Sequence, residues 1–161
     1  MSLGALSYTD VLYAQAGVAG LVGTAATVED LARRTVSNWL PVTALAGGLL
    51  TNSVVEGWRG AGSSLLGAAA GFAVFLVFYL LGGMGGGDVK LMAGFGAMLG
   101  VGRIVPAAML AAIFGAVMAA GVLGFGALAR ARKGGEKGLP KAIPYAPAIV
   151  MGVWLTMFAS L

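Results

Sequence analysis

Six apolar runs, separated by short polar or glycine-rich segments, make up most of the chain. A helix that crosses a bilayer needs about 20 predominantly apolar residues, with a usual range of roughly 17 to 25. Counted against that length, the runs cover residues 7–28, 39–55, 61–81, 89–100, 106–129 and 143–161. The pattern predicts an all-α membrane protein, a bundle of about six transmembrane helices that forms a single integral-membrane domain over residues 1–161.

The fourth run is short for a bilayer, and it follows a glycine-rich stretch that extends from Gly82 to Lys90. A short or interrupted helix at membrane depth is tolerated only where it is buried in protein or lines a watery cavity. Glycine adopts φ > 0 without steric cost and lets another backbone approach closely. We therefore expect a loop here that holds Asp88 at the edge of a cavity and admits an extended peptide.

Glycines within the apolar runs predict close contacts between helices. Small residues four positions apart let membrane helices approach one another closely. Faces of this kind are formed by Gly67 and Gly71, by Gly96 and Gly100, and by the cluster of Gly121, Gly124 and Gly126.

The composition limits the kinds of catalytic and metal-binding sites that the chain can form. The chain is 59% hydrophobic and only 10% charged, with a mean hydropathy of +0.93, which is far from the balance of soluble domains. It contains no cysteine and no histidine, so disulfides, thiolate metal sites, a Ser-His-Asp triad and the usual zinc clusters cannot form. Acid–base chemistry near neutral pH then falls to carboxylates, lysines or tyrosines, and we expect no metal and no cofactor.

The charges predict how the bundle is oriented. The net charge is +4, but the basic residues are scattered between apolar runs with no continuous basic face, so we expect no nucleic-acid partner. Eight of the ten basic residues lie in the first, third and fifth loops, and short loops rich in Lys and Arg stay in the cytoplasm. Both termini would then face outward. No basic segment precedes the first run, which predicts a retained span rather than a signal peptide.

Asp30 and Asp88 would both lie on the cytoplasmic side, and each has a plain interpretation by itself. Asp88 would cap the N-terminus of a helix, and Asp30 would be an interfacial charge paired with Arg33 or Arg34. Together they also suit an aspartic protease. Like charges held close cannot both ionise, so one carboxyl group keeps a proton as the acid while the other activates water as the base.

Three blocks of the sequence resemble the type IV prepilin peptidases, a family of membrane aspartic proteases. Residues 85–90 (GGGDVK) resemble the family motif GxGD-V-K. Residues 30–40 (DLARRTVSNWL) are similar to the family's first-aspartate motif, except that Ser37 replaces the usual proline, which loosens the backbone there. Residues 143–149 (IPYAPAI) resemble the late segment I-P-Y-x-x-A. The resemblance covers nearly the whole chain.

The resemblance implies a membrane aspartic endopeptidase with Asp30 and Asp88 as its catalytic pair. The substrate would be a prepilin or pseudopilin, cut in its leader at the cytoplasmic face of the bacterial inner membrane, with the lipid bilayer around the bundle. The chain resembles the short members linked to tight-adherence (Flp) pili, and it lacks a cysteine-bearing insert, so we do not expect methyltransferase activity. The leader would lie against Gly85, Gly86, Gly87 and Lys90.

Four more residues are candidates for supporting roles, namely Arg33, Arg34, Asn38 and Tyr145. The cations, with Lys90, would meet an acidic residue of the substrate, or they are simply positive-inside anchors. Asn38 would bond near Asp30 or cap the second span. Tyr145 matches a family position or is an interfacial tyrosine.

Two other functions fit parts of the pattern. One is a different GxGD protease, such as a preflagellin peptidase or a presenilin-like enzyme. The other is a small ion-coupled transporter or channel, in which Asp30 and Asp88 bind an ion and the glycines of residues 82–87 form a broken helix. No inverted repeat relates the two halves of the sequence, which counts against a transporter.

Overall fold

The structure is a computed structural model that describes residues 8–133 and 144–159. Within those ranges it is all α-helical, as the apolar pattern predicts. The helices are α1 (Tyr8–Arg33), α2 (Trp39–Glu56), α3 (Trp58–Leu80), α4 (Gly86–Lys133) and α5 (Ala146–Phe158). By length and composition, three helices of the described chain can cross a membrane: α1, α3 and the part of α4 from Gly86 to Gly126.

The helix α4 reverses direction at Gly100, where φ is 70° and ψ is 174°. A Cβ added at Gly71 of α3 would lie 2.6 Å from the carbonyl oxygen of Met92 and 3.2 Å from Cδ1 of Ile104. Those two residues would be about 18 Å apart along a continuous helix, so the chain folds back between them. We call residues 86–99 the first arm of α4 and residues 101–133 its second arm.

The two arms correspond to the fourth and fifth expected spans. The described residues thus contain five helices, one of them a hairpin, and a count of six membrane crossings stays a prediction. The second arm continues to Lys133, into the basic loop expected from Arg130 to Lys141. The remainder of that loop and both chain ends lie outside the described residues.

The first expected loop, residues 29–38, is shorter in the structure. Helix α1 continues through Asp30 to Arg33, because the N–H of Arg34 still donates to the carbonyl oxygen of Asp30 at 2.8 Å. Arg34 itself has φ 54°, a left-handed conformation that ends helices. Asp30 therefore lies in the last turn of α1, and the loop is reduced to residues 34–38.

Glycines place the first arm between α2 and α3. A Cβ at Gly67 would collide with the carbonyl oxygen of Gly96, and one at Gly48 would collide with the backbone of Met98. This confirms the glycine faces predicted on α3 and on the first arm. The arm's apolar side chains are almost completely buried, among them Leu91, Met92, Phe95 and Met98.

Among the described residues, the cluster of Gly121, Gly124 and Gly126 does not form the predicted packing face. No described atom lies within 4 Å of a Cβ placed at any of these positions. These residues lie far along the second arm, beyond the region that packs against α5 near Gly115. The prediction was wrong because the spacing of small residues does not show whether a partner helix reaches that far.

The helices place different residues at the two ends of the bundle. From α1 to α5, Ala19 pairs with Trp154, Gly23 with Val150 and Asp30 with Ala146, so these helices run antiparallel, and the end of α1 meets the start of α5. The starts of α2 and α4 and the end of α3 lie at this same end. The Gly100 reversal and the end of α2 lie at the other end.

Candidate active site

Asp30 is held by the first turn of α5. Its side chain is only 6% exposed, and its Oδ2 accepts a hydrogen bond from the backbone N–H of Ala146 at 2.9 Å. The N-terminus of a helix carries free N–H groups and a partial positive charge, so it suits a carboxylate. This contact joins residues that are 116 positions apart in sequence.

Asp88 is held by the turn that precedes it. It is the third residue of α4 and is also 6% exposed, and its Oδ2 accepts the N–H of Gly85 at 3.1 Å. The side chain thus reaches back to the residue before the helix, as the third residue of a capping box does. The prediction that Asp88 is the N-cap residue itself was therefore wrong.

The glycine stretch is less loop-like than expected. Gly86 and Gly87 belong to the first turn of α4. In this stretch, Gly82 is the glycine with a clearly positive φ, 75°. Helix α4 starts three residues before the expected Val89 because the Asp88 carboxylate and the Gly85 backbone close its first turn.

Both aspartates line one open pocket of about 590 Å³ at the end of the bundle where α1 ends and α4 begins. The pocket is lined by Asp30, Arg34, Thr35, Val36, Asn38, Phe72, Leu76, Tyr79, Gly85, Gly86, Gly87, Asp88, Val89 and Lys90. The two sequence motifs that carry the aspartates are therefore brought together in space.

The loop of residues 34–38 packs directly onto the first turn of α4. A Cβ at Gly87 would lie 3.2 Å from Cβ of Val36. Lys90 Nζ donates to Asn38 Oδ1 at 3.0 Å, and the Asn38 side chain makes no capping hydrogen bond to α2. No hydrogen bond between Asn38 and Asp30 is found among the described residues. At Ser37, which stands where the family motif has proline, the backbone N–H donates to Glu29 Oε2 at 2.8 Å. Proline has no N–H, so this bond depends on the substitution.

Of the three remaining candidate residues, one lines the pocket and two do not. Arg34 lines the pocket, whereas Arg33 is not among the residues that line it. Tyr145 packs against Gly115 of the second arm and borders a separate cavity of about 170 Å³ with Phe75 and Met84. Tyr145 immediately precedes Ala146, whose N–H bonds Asp30, so Tyr145 is linked to Asp30 through the backbone alone.

Two parts of the pocket were missed in the sequence. One is the wall that α3 provides through Phe72, Leu76 and Tyr79, whose spacing of four and three residues is that of one helix face. The other is the N–H of Ala146, a backbone group that carries no sequence signature. Within the described ranges, no group of three or more His, Cys, Asp or Glu residues forms a potential metal site.

Comparison with models of known protein families identifies the family of this chain. The model of the type IV leader peptidase family matches residues 18–120. The chain belongs to the type IV leader peptidase family. The matched segment contains both aspartates and the pocket wall from α3, and it ends before α5. The resemblance inferred from the three motifs is thereby confirmed.

Curated relatives in this family carry a longer chain. The prepilin leader peptidase/N-methyltransferase of Bacillus subtilis (strain 168) is 38% identical over 102 residues, which are 62% of this chain and 36% of that protein. The protein with the same description from Aeromonas hydrophila is 32% identical over 140 residues, 83% of this chain and 45% of its own. The chain thus spans less than half the length of these relatives. No solved structure matches it.

Proposed function

We propose that this protein is a membrane-embedded aspartic endopeptidase that cleaves the leader peptide of prepilins or pseudopilins. The observation that carries the proposal is the pair of buried carboxylates, Asp30 and Asp88, in one open pocket. Membership of the type IV leader peptidase family supports the reaction class. The relatives' names also include an N-methyltransferase; our proposal covers only the peptidase activity.

The proposed reaction uses one proton shared between the two carboxyl groups. The ionised aspartate takes a proton from water, and the water oxygen forms a bond to the carbonyl carbon of the scissile peptide. The protonated aspartate gives its proton to the carbonyl oxygen. The tetrahedral diol then collapses: the C–N bond breaks as the leaving nitrogen takes a proton from one aspartate, and one hydroxyl group of the diol gives its proton to the other. The new carboxyl product is thereby formed, and the pair again holds one proton. The proton belongs to the pair rather than to one assigned residue.

The hydrogen bonds of the two aspartates suit this reaction. Each carboxyl group accepts one backbone N–H on its Oδ2, from Ala146 for Asp30 and from Gly85 for Asp88. These bonds orient the carboxyl groups and leave the Oδ1 of each for a water molecule. The broken helix that a transporter would need beside the aspartates lies instead at Gly100, at the other end of the bundle.

The test is direct cleavage by the purified protein in detergent. A synthetic peptide that contains a prepilin leader and the first apolar residues after it should be cut at one bond. The products are identified by mass spectrometry. The protein with both Asp30→Asn and Asp88→Asn is the matched control, and equal cleavage by that control would contradict the proposal.

The finer proposal places the pocket at the cytoplasmic face of the inner membrane, in an enzyme of Flp-type pili. Arg33, Arg34 and Lys90 lie at the pocket's end of the bundle, whereas Arg103 follows the Gly100 reversal at the opposite end. Short basic segments favour the cytoplasm. The helices α1, α2 and α3, the two arms of α4 and α5 would then make six crossings.

This topology predicts where the C-terminus lies. With six crossings, a reporter fused after Leu161 should be active only outside the cytoplasm, because both termini are on the same outer side. Paired fusions of alkaline phosphatase and a fluorescent protein that folds only in the cytoplasm measure this. A fluorescent C-terminal fusion would contradict the six-crossing arrangement.

Lys90 is expected to contribute to substrate binding rather than to chemistry. Its ammonium group is exposed at the pocket and bonds Asn38, so it can turn to an acidic residue of the peptide. An exposed ion pair contributes about 0.2–1 kcal/mol, so Lys90→Ala should raise KM by about 1.4- to fivefold with kcat little changed. Arg33→Ala is the control because Arg33 is outside the pocket lining. The prediction is wrong if a peptide without acidic residues shows the same change in KM.

A further inference from the structure

A network of buried and half-buried polar side chains lies at the end of the bundle opposite the aspartates. The Gln15 side chain of α1 is 2% exposed, and its Nε2 donates to Asn52 Oδ1 at 2.7 Å. Asn52 of α2 donates through Nδ2 to Ser64 Oγ of α3 at 2.8 Å. The network thus joins α1, α2 and α3, and the proposed cleavage reaction does not use it.

The same Asn52 amide also reaches the Gly100 reversal of α4. Its Nδ2 donates to the carbonyl oxygens of Ala97 at 3.0 Å and Met98 at 3.3 Å. In an unbroken helix the N–H of Val101 would bond the carbonyl oxygen of Ala97. Here Ala97 bonds Asn52, and the Val101 N–H donates to Ser63 Oγ at 3.3 Å. Two side chains from α2 and α3 therefore replace a bond that the reversal breaks.

The direction of the Asn52 amide is fixed by its neighbours. Its Oδ1 faces an amide donor, Gln15 Nε2, while its Nδ2 faces two backbone carbonyl oxygens that can only accept. Ser64 in turn donates to the carbonyl oxygen of Gly48 at 3.2 Å. Rotation of the amide by half a turn would place oxygen against oxygen, so one orientation satisfies every group.

The first arm of α4 connects the Gly100 reversal to the candidate active site. It runs from the reversal to Asp88, which lies 12 residues before Gly100, so about 18 Å away along the helix. Over that length, a tilt of about 5° at the reversal would move the Asp88 end by about 1.5 Å. Packing against glycines holds the arm close to α2 and α3 but is non-directional. The hydrogen bonds of Asn52 instead specify which carbonyl groups of the arm lie at that position.

We propose that Asn52 is a positioning residue for Asp88: by bonding the carbonyl oxygens at the Gly100 reversal, it fixes the angle and register of the first arm. The proposal rests on the proposed function. It adds a distant residue that acts through the arm and touches neither the substrate nor the aspartates.

The absence of cysteine from the chain allows a test that does not depend on activity. The pair Val36→Cys with Gly87→Cys reports where the first arm meets the loop of residues 34–38. The Cβ atoms at these two positions are about 3.2 Å apart, close to the separation of about 3.5–4.5 Å that a disulfide requires. The pair Gly23→Cys with Val150→Cys joins α1 and α5 and serves as the reference. Disulfide formation is followed by protection from alkylation in mass spectrometry.

Asn52→Ala is expected to affect one of the two cysteine pairs and not the other. In full-length protein, Asn52→Ala should slow disulfide formation by the Val36–Gly87 pair about tenfold and leave the Gly23–Val150 pair unchanged, because only the first arm shifts. Without engineered cysteines, Asn52→Ala should lower kcat for the leader peptide by about 10- to 100-fold with KM within about twofold. Ser53→Ala is the matched control and should change neither measurement, since within the described ranges Ser53 Oγ bonds Leu49 O of its own helix.

Two outcomes would overturn the proposal. One is disulfide formation by the Val36–Gly87 pair at the parental rate, and the other is an equal slowing of both pairs, which indicates general loosening. If Asn52→Ala does not accumulate in the membrane, Gln15→Leu removes the donor to Asn52 Oδ1 and is judged by the same criteria. A parent protein that forms the disulfide but cleaves no leader peptide refutes the proposed function, while the disulfide rates still decide the role of Asn52.

Discussion

Asp88→Asn is expected to abolish leader cleavage while the protein still accumulates in the membrane. The amide oxygen of asparagine can still accept the N–H of Gly85, so the first turn of α4 persists. An amide can neither take a proton from water nor return one. Loss of a general acid–base group costs about 10²- to 10⁴-fold, and we expect a loss near the upper end because the pair acts as a unit.

Asp30→Asn should give a loss of similar size, and the double variant should be hardly worse than either single one. Both variants replace a buried carboxylate by a neutral group, so thermal stability should be unchanged or higher. Asp10→Asn, at the exposed start of the same helix as Asp30, is the control and should cleave normally. Initial rates with the purified peptide assay measure all four. Cleavage by Asp88→Asn at a normal rate would remove the basis of the catalytic assignment.

Gly67→Leu is expected to destabilise the whole bundle. A Cβ at this position would collide with the carbonyl oxygen of Gly96 and lie 2.8 Å from the carbonyl carbon of Gly100. Both obstacles are backbone atoms, so α3 and the first arm must separate. Overpacking of this kind costs about 1–3 kcal/mol and occasionally more. In detergent, the melting temperature should fall by roughly 2–10 °C. Cleavage should fall with it, because the first arm carries Asp88.

Gly62→Leu tests whether the effect comes from packing. Gly62 lies on the same helix, and no atom of the described part of the chain lies within 4 Å of a Cβ placed there. The substitution changes helix propensity and lipophilicity in the same way as at position 67 but creates no collision. Its melting temperature should equal or exceed that of the parent. Equal destabilisation by the two substitutions would show that the close approach of α3 to the first arm is not what stabilises the bundle.

The sequence predicted the helices and the two aspartates well because each depends on local information. The apolar runs matched α2 almost to the residue, and the GxGD and first-aspartate motifs led to residues that share one pocket. The family match confirms the resemblance on which that pairing rested. The catalytic roles of the two aspartates stay predictions.

Other features depend on contacts that no local pattern encodes. The fourth run was expected to end at Gly100, where the structure has the reversal, but residues 101–105 were expected as a loop and are instead helical, at the start of the second arm. The end of α1 was placed too early because charged residues can continue a helix beyond its apolar part. Asp88 was taken for the cap because the start of α4 depends on how its carboxylate folds back to Gly85.

The bond between Asp30 and Ala146 has a consequence for biosynthesis. Translation produces α1 first and α5 more than a hundred residues later, so a ribosome-bound chain already contains both aspartates before it contains the donor for one of them. Until α5 inserts, Asp30 lacks the N–H group that orients it. In the proposed mechanism, a half-made chain therefore has an incomplete pair of aspartates, and hydrolytic competence comes only with insertion of α5.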